Sequence, residues 1–151
     1  MSHMAHASGH LHRVSKLLGG KSVVGHDLDT PLDVVATVRE GLPYRSLESL
    51  QGALKISTEE LSKRLDIPRR TLVRRKEHGR LDSHESERIL RLARVFARAV
   101  VLLGSVDKAR SWLDQPNRAI GGAAPFDLLD TDVGAREVEN VLGRIEHGVF
   151  S

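Results

Sequence analysis

Between Arg69 and Arg80 the chain places Arg69, Arg70, Arg74, Arg75, Lys76 and Arg80 against one acid, Glu77. Cationic groups at this density neutralise phosphates, and an arginine can also grip O6 and N7 of guanine with both arms of its fork. If the stretch is a helix, Arg69, Arg70 and Thr71 lie at its N-terminal end. That is the end that reaches base edges in a major groove. Thr71 suits a thymine methyl or a phosphate. Arg74, Arg75 and Lys76 lie further along and suit phosphates, which fix register rather than read sequence. A basic run alone is equally a solvated helix face, so the reading depends on what holds the helix.

Other chemistry-bearing groups are weaker. Gly19-Gly20-Lys21-Ser22 ends like a phosphate-binding loop, but Ser15 stands where the first glycine is needed and no apolar strand precedes it. His3, His6, His10 and His12 lack ligand-spaced partners and read as a surface tail. Asp127, Asp130 and Asp132 do not have calcium-loop spacing and read as helix-start acids. There is no cysteine, no His-Glu-x-x-His and no Gly-x-Ser-x-Gly. We therefore expect no enzyme, no cofactor and no metal. The aromatics are five, Tyr44, Phe96, Trp112, Phe126 and Phe150, too few for a base-stacking platform.

The elements that must position the basic stretch follow from caps and apolar spacing. Leu61, Leu65, Ile67 and Leu72 are placed to hold two short helices together across Asp66, one of the few residue types that tolerates a left-handed turn. Ser62 is small where the second helix approaches, and Pro68 starts that helix. This is a helix-turn-helix pattern. Ser57 with Glu60 predicts a capping box before it, and Asp82 with Glu85 another before a long helix to about Leu103. Asp29-Thr30-Pro31 opens an earlier helix whose apolar face is read as Leu32, Val35, Ala36 and Val38. Pro43 opens another, with Leu47, Leu50, Ala53 and Leu54 inside. A short helix around Leu11–Leu18 is possible. Later helices are expected over Val106–Leu113, after Pro125, and from a cap at Asp132 to about Glu146. No alternating strand pattern occurs, so the fold is expected to be an all-α bundle.

One recognition helix reads few base pairs, so a symmetric dimer is expected on operator DNA. The long helix, with Ile89, Leu92, Ala93, Phe96, Ala99, Val100 and Leu103, is read as core spine with a possible share in that dimer. The longest apolar run, Ala99–Leu103, is far too short to span a bilayer. With no signal segment at the front, the expectation is a cytoplasmic chain without a membrane partner. Charge is uneven: five Lys/Arg face eight Asp/Glu after residue 103, a net −3 in a chain of net +3, which leaves +6 in front. A basic front and an acidic back suggest two partners, nucleic acid and a basic protein surface.

The back half carries a further pattern. Trp112-Leu113, Pro116-Asn117, Ala119-Ile120-Gly121-Gly122, Pro125-x-x-Leu128-Leu129 and Thr131-x-x-Gly134 are followed by Val138, Leu142, Ile145 and Gly148. Over residues 106–150 this resembles the C-terminal domain of Xre/MbcA/ParS antitoxins, and an Xre-like helix-turn-helix in front is that family's arrangement. The resemblance implies the antitoxin of a type II pair. Its partner would be a RES-domain toxin that consumes NAD, by hydrolysis or ADP-ribosyl transfer. The antitoxin would block the toxin's active-site cleft with its C-terminal end and would repress its own operon. The blocking residues are then expected to be Glu146, His147, Gly148, Val149 and Phe150, with Arg144 as a further contact. The expected organisation is an N-terminal extension with short helices over 1–43, a helix-turn-helix region over 44–104 and a toxin-binding domain over 105–151. The competing reading is a stand-alone dimeric helix-turn-helix regulator whose C-terminal domain senses a ligand.

Overall fold

The computed structural model describes residues 2–148, with side chains from Gly9 onward. It is all-α, as expected: α1 Ser2–Leu17, α2 Lys21–Val24, α3 Pro31–Glu40, α4 Tyr44–Leu54, α5 Thr58–Leu65, α6 Arg69–His78, α7 Ser83–Leu103, α8 Val106–Asp114 and α9 Asp132–Glu146. Short 3-10 turns occupy Arg118–Ile120 and Pro125–Leu128. Among the described residues no helix is long and apolar enough to cross a membrane.

The spine is α7. Asp82 accepts from the Glu85 backbone N–H and Glu85 reaches back to that of Asp82, the full box that its spacing predicts. Ile89, Leu92, Ala93, Val95, Phe96 and Ala99 are completely buried, which requires neighbours on several sides. Those neighbours are α1, α3, α8 and α9. One apolar core runs through the molecule from Val14 to Leu142.

The N-terminal region departs from the expected tail. α1 lies along α7 and buries Leu11 and Val14, and Leu18, just past its end, is buried with them. Gly19-Gly20 lie in the turn between α1 and α2, Lys21 and Ser22 open α2, and Lys21 is 3.5 Å from Asp27 rather than free for a phosphate. His10, half-buried, faces Arg94 and Arg98 of α7. Burial first, then the charges of Arg94, Arg98 and Arg13, hold its imidazole below the ordinary 6.5. Unfolded His10 therefore takes a proton at a pH where the folded group refuses it. The stability it contributes is complete above the unfolded pKa and is lost as pH falls through the folded value. Melting at about pH 7.5 and about pH 5.5 should show an acid loss that His10→Gln makes smaller. An equal loss in the variant would contradict this origin.

α3 packs in a different phase from that expected. Thr30 and Asp33 form its capping box, and hydrogen bonds from the backbone N–H groups of Asp29 and Thr30 hold the Asp33 carboxyl below its usual range. The inward stripe is Val34, Thr37 and Val38, while Leu32 is 77% and Val35 40% exposed. Thr37 can sit inside because its hydroxyl donates to the Asp33 carbonyl and meets Nε2 of His26 at 3.1 Å. Gly41 then ends the helix at φ 86, where a Cβ would stand 2.2 Å from the Leu81 carbonyl oxygen. That close approach lets the chain pair back on itself: Leu81 N–H donates to Leu42 O and Tyr44 N–H to Gly79 O.

Candidate functional site

The basic stretch is the second helix of a helix-turn-helix. Ser57 caps α5 by accepting from the Glu60 backbone N–H, though only this half of the expected box is present. Asp66 takes the left-handed turn at φ 53. Leu61, Leu65, Ile67 and Leu72 are all buried, each stabilising the hairpin by about 1.5–3 kcal/mol. Ser62 Oγ donates to the Ile67 carbonyl, closing the gap where the helices cross. From α7, Arg88 donates to the Leu65 and Asp66 carbonyls at 3.3 and 2.8 Å, so the turn is fixed from below.

On this frame α6 presents Arg69, Arg70 and Arg74 to solvent, with Thr71 half-exposed at the first turn. Lys76 is exposed and 4.0 Å from Glu48. Arg75 differs from its neighbours. Its guanidinium turns back to Glu85, at 2.8 Å, and to Asp82, at 3.2 Å. The Glu85 hydrogen bond, with both carboxylate charges, raises its already high pKa. Arg75 thus ties α6 to the N-terminal cap of α7, and removing it would leave the buried Glu85 carboxylate with only the Asp82 backbone N–H and no cationic partner. Arg75→Ala should cost about 2 kcal/mol of stability and leave the salt slope of DNA binding unchanged. Arg74→Ala should reduce that slope by about one with no change in melting. Melting curves and salt titrations of the two variants check this; the reverse pattern would return Arg75 to the phosphates.

The C-terminal motif has a physical meaning in each part. Asn117 Oδ1 accepts from the Ala119 N–H, and the Asn117 carbonyl accepts from Gly122, so Pro-Asn and Gly-Gly close one loop. Pro125, Phe126 and Leu129 are buried and clamp the second 3-10 turn to α8 and α9. The cap of α9 is Thr131, not Asp132: Thr131 Oγ1 accepts from the Gly134 N–H at 3.0 Å. Asp132 is the first helical residue and pairs with Arg136 at 2.7 Å. Asp127 is held elsewhere, 3.5 Å from Arg64 of α5. Arg64 also pairs with Asp114 and lies 4.5 Å over the Phe126 ring, so it joins the helix-turn-helix to the C-terminal motif. Among the described residues no cluster of His, Asp or Glu could hold a metal.

α9 buries Ala135, Val138, Val141 and Leu142 against α7 and its neighbours. Arg144, Glu146, His147 and Gly148 are exposed at its end. Glu146 is 3.4 Å from Arg98 of α7. Val149 and Phe150 lie outside the described residues. Among the described residues, those expected to face DNA and those expected to block the toxin thus lie on separate helices, α6 and the end of α9. The arginines that connect the parts, Arg64, Arg88, Arg94 and Arg98, went unassigned in the sequence. One signal could have found the last two: Arg91, Arg94 and Arg98 interrupt the apolar spine at helical spacing, and charges there require partners.

Comparison with known proteins agrees with both halves. Residues 33–94 match the antitoxin Xre-like helix-turn-helix domain, and residues 97–148 the antitoxin Xre/MbcA/ParS C-terminal toxin-binding domain. The chain is 39% identical over 120 residues to Antitoxin Xre of Yersinia enterocolitica, covering 78% of this chain and 81% of that one. It is 37% identical over 118 residues to Antitoxin Xre of Photorhabdus laumondii, covering 77% and 80%. A protein of a Sphingobium species named Prs ADP-ribosylating antitoxin is 28% identical over 132 residues, covering 81% and 83%. With both domains matched and relatives at 37–39% identity covering most of both chains, the chain belongs to the Xre family of antitoxins.

Proposed function

We propose that this antitoxin neutralises a RES-domain toxin that consumes NAD, by placing the end of α9 in the toxin's active-site cleft. The same chain represses its own operon through α6, as a dimer on operator DNA. It acts in the cytoplasm and by binding rather than catalysis. The observation that carries the reading is the adjoining of two matched domains, 33–94 and 97–148, on one α7 spine. The exposed guanidiniums of α6 support the DNA partner, and the exposed end of α9 supports the block. The name of the Sphingobium relative ties that protein to ADP-ribosylation, a transfer that draws on NAD, and this supports a toxin of that chemistry here.

The test uses the protein encoded by the neighbouring reading frame. It should co-purify with this chain, and the complex should bind a fragment of the operon's promoter with an affinity that falls steeply as salt rises. Failure to co-purify would refute the toxin partner. A complex that binds promoter and unrelated DNA alike would refute the repressor role.

A further inference from the structure

Residues 104–151 carry net negative charge, yet their carboxylates are mostly engaged within the chain. Asp107 pairs with Arg110, Asp132 with Arg136, Asp114 and Asp127 with Arg64, Glu139 with Arg94, and Glu146 with Arg98. Arg64, Arg94 and Arg98 come from the basic front of the sequence. The fold therefore carries positive charge onto the face that the sequence marks as acidic.

The effect concentrates where the end of α9 meets α7. An open cleft of about 690 Å³ is lined by Arg98, Glu139, Asn140, Gly143, Arg144 and His147. Arg98 donates to the Glu139 carbonyl at 3.3 Å and to the Glu146 carboxylate at 3.4 Å. Arg94 takes the Glu139 carboxylate at 3.7 Å. Both nearby carboxylates are thus committed. Arg144 and His147, three residues apart and exposed, have no acidic partner among the described residues.

We infer that this cleft seats an acidic element of the toxin, with carboxylate side chains of the partner held by Arg144 and His147 above Arg98. The inference rests on reading residues 97–148 as the toxin-binding face, and it reverses the charge expected of that face. An arginine fork takes a carboxylate with two parallel hydrogen bonds. Charges at the rim of an interface also set its association rate and salt dependence.

The experiment measures binding of the neighbouring reading frame's product to the full chain, to Arg144→Glu and to Arg136→Glu, at low and high salt. Arg136 lies on the same helix but does not line the cleft. Both side chains are exposed, and melting curves verify that both variants fold. Arg144→Glu should weaken toxin binding about a hundredfold at low salt, with a smaller loss at high salt, while Arg136→Glu stays within about threefold. Promoter binding should match wild type in both. Unchanged toxin binding by Arg144→Glu would overturn the inference and leave the antitoxin reading standing. Loss of promoter binding in place of toxin binding would overturn it in favour of a nucleic-acid surface. A wild-type chain that binds no toxin would overturn both.

Discussion

Replacing Arg69 and Arg70 together with alanine should lower operator affinity by on the order of a thousandfold and leave toxin binding intact. Both side chains are exposed on the first turn of α6 and have no ion pair among the described residues. Removing them therefore takes nothing from the fold, unlike removing Arg75. Each bidentate contact to a base is worth about 1–3 kcal/mol of discrimination, so two lost together give the expected fall. The variant should retain weak, salt-sensitive binding through Arg74 and Lys76, since phosphate contacts remain. Fluorescence anisotropy on promoter and scrambled DNA checks both parts. A well-folded double variant that binds operator normally would move base readout away from α6. One that also loses the toxin would show that the two functions are not separable.

Gly134→Ala should be among the most damaging single changes outside the spine. A Cβ there would meet the Leu128 carbonyl oxygen at 2.0 Å and the Leu128 carbonyl carbon at 2.9 Å, both backbone atoms. No side-chain rotation relieves such a contact, so α9 must move off the 3-10 turn that precedes it. Overpacking of this kind costs about 3 kcal/mol, enough to lower melting by roughly 5–10 °C in a chain of this size. It also pulls the Gly134 N–H away from Thr131, so the α9 cap weakens. Gly52→Ala is the matched control. Gly52 lies within α4 and a Cβ there meets nothing within 4 Å, so alanine should stabilise by about 0.5–1 kcal/mol. Calorimetry of the pair decides: equal melting temperatures would mean that the close approach at Gly134 is readily relaxed. With α9 displaced, toxin neutralisation should weaken while α6 retains its DNA face.

These two positions also mark what could be read in advance. The helix-turn-helix was legible because its residues answer local demands. Leu61, Leu65, Ile67 and Leu72 are buried, Asp66 is left-handed, and Asp82 with Glu85 closes a full box. Phase was less legible than period. In α3 the expected face 32-35-36-38 competes with the observed 34-37-38, which shares only Val38, and packing on α7 with the His26–Thr37 hydrogen bond goes with the observed one. At α9 two adjacent residues can cap, and the cap falls to Thr131 because that register brings Gly134 against Leu128. Net charge by halves was least informative. Ion pairs form across distant segments, so Arg64, Arg94 and Arg98 cancel carboxylates that sequence proximity assigns to the surface. The role of α1 was hidden for a related reason. Leu11, Val14 and Leu18 form a short stripe in a Gly- and His-rich segment, and only α7 makes it a core.

The proposed role of the end of α9 is to block an NAD-consuming toxin. Cellular NAD measures it directly, with the neighbouring reading frame expressed alone, with the full chain, and with the chain truncated after Gly143. NAD should collapse in the first case, be protected in the second and collapse again in the third. NAD that stays level with the neighbour alone, or full protection by the truncated chain, would contradict it.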